Sequence, residues 1–145
     1  MSLIEDTDIR LVQISFARII PIRDHASQLF YEHLFRIAPE LRPMFRNDIE
    51  LQGTKLLAAL GMIVYSLREP QKLAQSAAEL GLRHAGYGVR PRHFAYLREA
   101  LLQMLSDGLG NAFDAETRDA WQRAYDKLAG LMIAQMRLAA PRAIA

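Results

Sequence analysis

The sequence predicts an all-α domain, and three observations carry that prediction. Apolar residues recur at three- and four-residue spacing along most of the chain. No stretch alternates apolar and polar residues for long enough to build a strand, and no Asn-Gly or Asp-Gly pair stands between strand-like runs. The breaks between periodic stretches are prolines and neighbouring glycines, residues that end helices.

The 145 residues suit one domain, 1–145, with a core large enough to enclose a small cofactor. Hydrophobic residues make up 51% and charged residues 23%, the mix of an ordinary soluble globule. Eighteen basic residues against 16 acidic ones leave a net charge of +2, interleaved along the chain without a basic block. No nucleic-acid partner is expected. The absence of cysteine excludes disulfides, thiolate zinc sites, iron–sulfur clusters and cysteine nucleophiles. The polar start from Met1 to Asp8 lacks a signal-peptide pattern, and the longest apolar run, Leu56 to Val64, is too short to cross a bilayer. The expectation is a cytoplasmic protein with no membrane partner.

Each helix has its own signals. A first helix starts at a cap on Asp6 or Thr7, carries Ile9, Val12, Phe16 and Ile19 on one face, and ends at Pro21. A second runs from about Ile22 to Ala38, with Ala26, Leu29, Phe30, His33, Leu34 and Ile37 inward. Pro39 and Pro43 bracket a tight corner that reaches Phe45, and Arg46 to Asp48 form a polar bend. A long helix from Ile49 to Arg68 is lined by Leu56, Leu60, Ile63 and Leu67. Pro70 opens the next, which carries Leu73, Ala77, Leu80 and His84 and stops at Gly86 and Gly88. Pro91 opens another, with Phe94, Leu97, Leu101 and Met104, broken at Gly108 and Gly110. Asp114 caps the last, lined by Trp121, Tyr125, Leu128 and Met132, and the tail from Ala139 is expected to fray around Pro141.

His84 is the residue that asks for a function. Its spacing from Ala77 and Leu80 puts it on the apolar stripe of its helix. An imidazole aimed into a core is costly unless something binds it. A backbone carbonyl or a metal would serve, and the two middle helices around Pro70 suit a pocket between them.

Four segments carry a family resemblance: Leu29 to Phe35, the corner Ala38 to Phe45, Leu80 to Val89, and Asp119 to Tyr125. With the spacing from Phe45 to His84, they make the chain resemble a globin, specifically the bacterial single-domain globins and the haem domain of flavohaemoglobins. The resemblance covers about residues 8–138. It implies a globin fold of six to eight helices around haem b, with His84 as the axial ligand of iron and Leu80 as the carbonyl that orients it. Phe45 would pack on the haem face. Tyr31 and Gln52 would be the distal pair that meets a gas ligand, with Leu56 as apolar bulk above the iron. Val89 and Phe94 would line the proximal side, and Lys55, Arg83 and Arg90 would be candidates for the propionates.

The chain also departs from that family's pattern. Phe94 and Met136 stand where the resemblance expects a tyrosine and a glutamate that polarise the axial histidine, and neither side chain offers a strong hydrogen bond. His25, His33 and His93 fall outside the distal position. The expected ligands are dioxygen, nitric oxide or carbon monoxide. Oxygen binding is the first expectation, and nitric oxide dioxygenase activity would need a separate reductase, because no flavin domain follows Ala145. A gas sensor, or a haem-free interaction module on the same scaffold, are the alternatives.

Overall fold

The computed structural model describes residues 3–45 and 49–144. Among them there are six α-helices, four short 3₁₀ segments and no strand. The helices are α1 (Asp6–Ile19), α2 (Arg23–Ile37), α3 (Ile49–Val64), α4 (Pro70–Gly86), α5 (Phe94–Leu109) and α6 (Ala115–Ile144). The 3₁₀ segments Ile20–Ile22, Pro39–Met44, Pro91–His93 and Gly110–Ala112 fill corners, and three of the four contain proline. The expected bend at Arg46 to Asp48 lies outside the described residues.

The predicted apolar stripes are the ones that bury. Ile9, Val12, Phe16 and Ile19 of α1, and Ala26, Phe30 and Leu34 of α2, are nearly or fully buried. Each large side chain removed from water stabilises the fold by about 1.5–3 kcal/mol. The helices pair α2 with α5, α4 with α6, α1 with α6 and α3 with α2, whereas α3 and α4 touch only sparsely. Their apolar stripes are therefore only partly covered: Leu56 and Leu60 on α3 and Leu80 and His84 on α4 are half-buried. The core correspondingly falls into a large cluster and a smaller one built on Ala77, Phe94, Ala129, Met132 and Met136. Leu80, Leu97, Tyr125 and Leu128 touch both.

Polar contacts lock the outer helices. Arg123 of α6 donates to both carboxylate oxygens of the buried Asp8 of α1 at 2.7 and 2.8 Å. The Trp121 indole N–H donates to the Ser15 hydroxyl at 2.8 Å, and the Ser15 hydroxyl donates to the Leu11 carbonyl at 2.7 Å.

Four boundary expectations need correction. The cap of α1 is Glu5, with no side-chain bond; Asp6 and Asp8 lie in the first turn, where their charges favour the helix N-terminus. α3 ends at Val64, not Arg68, because Glu69 before Pro70 is pushed to extended backbone and the chain tightens ahead of it. Gly108 stays inside α5, where a side chain would run into Ile19 of α1; the break comes at Gly110, whose φ is +57°. The backbone of α6 remains helical to Ile144, through an Ala-rich stretch of high helix propensity. Asp114 does cap α6, accepting the Thr117 N–H at 2.9 Å, and that bond holds its carboxyl below the usual range.

Candidate functional site

The proximal wall forms where α4 ends. His84 lies in the last turn of α4, and its Nδ1 is 2.7 Å from the Leu80 carbonyl oxygen, the partner expected from the sequence. A carbonyl can only accept, so Nδ1 carries the proton. Burial disfavours the charged ring and lowers the His84 pKa below 6.5, partly opposed by that same bond. The neutral ring therefore presents an Nε2 lone pair, which has no hydrogen-bond partner among the described residues.

The chain then reverses sharply. Gly88 takes φ +88°, a left-handed conformation that favours glycine, and the Val89 N–H returns to the His84 carbonyl at 3.0 Å. Val89 packs on the smaller core cluster. The Phe94 ring lies 6.0 Å from the His84 ring, tilted by 32°. The Tyr125 hydroxyl donates to the Phe94 carbonyl at 2.7 Å and so holds the start of α5 behind the histidine. Met136 is buried in the same cluster.

A second group of predicted residues is aromatic. Tyr31, on α2, is 5% exposed and sits among Phe30 at 5.3 Å, Phe35 at 5.8 Å and Phe45 at 5.3 Å between ring centroids. Phe45 also meets Phe35 edge-on at 5.4 Å, and the Arg42 guanidinium covers the Phe35 ring at 4.8 Å. The Tyr31 hydroxyl has no hydrogen-bond partner among the described residues, and burial pushes its pKa up to about 12. α3 crosses close to this group. A β-carbon on Gly53 would lie 2.6 Å from the Ser27 hydroxyl and 3.9 Å from the Tyr31 ring. Gln52, the preceding residue, is half-buried, as is Leu56 one turn on.

Two groups of predicted residues thus come together: Tyr31 with Phe45 and the Gln52–Gly53 turn of α3, and His84 with Leu80 and Phe94. Lys55, Arg83 and Arg90 are exposed and form no ion pair among the described residues. The other histidines are otherwise placed. His25 is exposed, and His33 faces Asp107 at 2.7 Å across α2 and α5. His93 accepts the Arg90 N–H at 2.9 Å. Sequence reasoning missed Gly53 against Ser27, Phe35 in the aromatic group and the Tyr125 anchor. Only Gly53 left a signal, as a glycine in the body of a helix.

A family model described as Globin matches residues 28–132. The chain belongs to the globin family. It is 31% identical over 122 residues to a flavohaemoprotein of Bordetella pertussis, covering 80% of this chain and 30% of that protein. It is 28% identical to a neuroglobin of Tetraodon nigroviridis over 72% of this globin and 74% of that one. Among solved structures it matches an engineered carbene transferase, RmaNOD, described as a candidate nitric oxide dioxygenase from Rhodothermus marinus. That match has a TM-score of 0.88 at 26% identity and covers 98% of this chain and 99% of the other. This globin thus spans about 30% of the length of the flavohaemoprotein it matches.

Globin membership implies haem, and the donor chemistry agrees. The described residues hold no group of three or more His, Asp or Glu side chains that could bind a bare metal ion. They do hold one half-buried imidazole whose Nε2 lone pair has no hydrogen-bond partner among the described residues. A single axial nitrogen is what the protein must supply when a macrocycle supplies the other ligands.

Proposed function

We propose that this globin binds haem b through His84 and uses it to bind dioxygen reversibly in a distal pocket built from Tyr31 and Gln52. The observation that carries the reading is the His84 tautomer. Nδ1 is committed to Leu80, so Nε2 is left as a donor with its ring orientation set from behind. Haem, when bound, supplies an iron that takes diatomic gases in its ferrous form.

The residues around the cleft divide the remaining work. Phe45 and Leu56 contribute apolar contact to the macrocycle, and Val89 and Phe94 close the proximal side. Lys55 and Arg83 are the rim cations suited to the propionates. Tyr31 stays protonated at all ordinary pH and has no competing partner. It is thus a hydrogen-bond donor held in reserve for a polar diatomic ligand, and Gln52 offers a second, through its amide. Phe94 and Met136 cannot strengthen the basicity of His84. The site therefore suits holding oxygen more than splitting it.

The likeness to flavohaemoproteins and to RmaNOD supports a second reading in which bound oxygen is consumed by nitric oxide, with electrons from a separate reductase. One set of absorption spectra tests the primary claim. Ferric, ferrous and oxygenated protein should each show a Soret band, and the band should vanish in His84→Ala. A colourless protein after haem supplementation, or an oxygenated form that does not release oxygen, overturns it.

A further inference from the structure

Charge balances over the whole chain but not at the corner between α4 and α5. From Leu80 to Arg98 there is no carboxylate side chain, while Arg83, Arg90, Arg92 and Arg98 all fall within that span. Arg98 is spent on Asp126 at 3.0 Å, whereas the other three arginines are exposed and in no ion pair among the described residues. The flanking carboxylates are Glu79 and Glu99, and Glu40 faces the corner from the Pro39–Met44 segment through its pull on His93. None of the three forms an ion pair with these arginines.

The corner also projects. Of the eleven residues from Leu82 to Arg92, only His84 and Val89 turn inward. Two of the outward side chains are large: Leu82 is 46% exposed and Tyr87 is 62% exposed. Space outside the turn is open, with nothing within 4 Å of a β-carbon built on Gly86 or Gly88. Tyrosine and arginine beside an exposed leucine are the residue types that anchor protein interfaces. Here they surround the helix end that carries His84.

We infer that the surface formed by Leu82, Tyr87, Arg90 and Arg92 docks an acidic electron-donor protein. The inference rests on the haem-globin reading for the kind of partner. The basic charge sets the sign of the partner, and Tyr87 caps the helix whose last turn carries His84. Long-range attraction between the arginines and an acidic surface speeds encounter and is screened by salt.

The test is a binding titration of the haem-loaded protein with an acidic plant-type ferredoxin and with an acidic flavodoxin as probes. At least one should bind, weakening by about tenfold or more between about 20 and about 200 mM salt. Arg92→Glu and Tyr87→Ser, both at exposed positions, should each weaken binding by about tenfold, as expected where about 1.4 kcal/mol is lost. Arg18→Glu, on α1, should leave binding unchanged. Absence of binding to both probes overturns the inference, as does an equal loss in Arg18→Glu. So does tighter binding to anionic vesicles or duplex DNA at the same ionic strength. The Soret band, recorded on every sample, reports the haem reading separately, so a colourless protein and a coloured protein that ignores both probes are distinct results.

Discussion

The position of one proton decides what His84 can do. With Nδ1–H given to Leu80, the ring has a fixed tautomer, a fixed tilt and an uncommitted Nε2. Tyr31 is a phenol that burial keeps neutral and that no described neighbour satisfies. Tyr31→Phe should speed oxygen dissociation by about tenfold, equivalent to losing one donor worth about 1.4 kcal/mol; stopped-flow release kinetics check this, and an unchanged rate would place the hydroxyl out of reach of ligand. The iron–histidine stretching frequency should be low, as in oxygen carriers, because Phe94 and Met136 give His84 no polarising partner. Resonance Raman spectra of the ferrous form measure it, and a high, peroxidase-like value would overturn that account.

At the scale of elements, two glycines set how closely helices approach, and they differ in what stands in the way. A β-carbon on Gly81 would lie 2.8 Å from the Met132 carbonyl oxygen, a backbone obstacle on α6. Gly81→Ala should therefore cost about 1–3 kcal/mol, the range for overpacking, with no simple rescue by a second change. At Gly53 the obstacle is the Ser27 side chain, so Ser27→Gly should restore much of what Gly53→Ala loses. Urea unfolding of the three single variants and of the Gly53→Ala/Ser27→Gly double mutant reads both effects. The Tyr125 hydroxyl is a third device, tying α6 to the first residue of α5. Tyr125→Phe should lose about 0.5–1.5 kcal/mol of stability, the usual value of one hydrogen bond, by the same measurement.

For the whole molecule, α3 and α4 touch only sparsely, and Leu56, Leu60 and Leu80 on them stay half-buried. Stability should also depend on pH through His93, which is buried behind the corner. Burial chiefly, and Arg92 next, lower its pKa below 6.5, with Glu40 opposing them. The unfolded chain then binds a proton below about pH 6.5 that the folded chain refuses, so stability rises with pH across that window. The thermal midpoint should fall as pH drops from about 6.5 towards the lowered value, and His93→Asn, whose amide oxygen can still accept the Arg90 N–H, should flatten the slope. An identical slope in the variant would assign the dependence to other groups.

Much of this was legible in the chain. The all-α class, the stripes on α1 and α2 and the Asp114 cap follow from local spacing, because a helix fixes which residues share a face within a few turns, and the His84–Leu80 bond was what the family resemblance implied. The end of α3 was misread because the pull of Pro70 on Glu69 competes with a periodicity that continues to Leu67. Phe35 beside Tyr31, the Ser27–Gly53 approach, the Tyr125–Phe94 anchor and the exposed arginine corner join or sort residues by crossing angles that no local pattern encodes. The sequence alone determined that a histidine on an apolar stripe would stand at a helix end. Only the tertiary structure decided that the apolar stripes of α3 and α4 stay partly uncovered, because that depends on how the other four helices are packed.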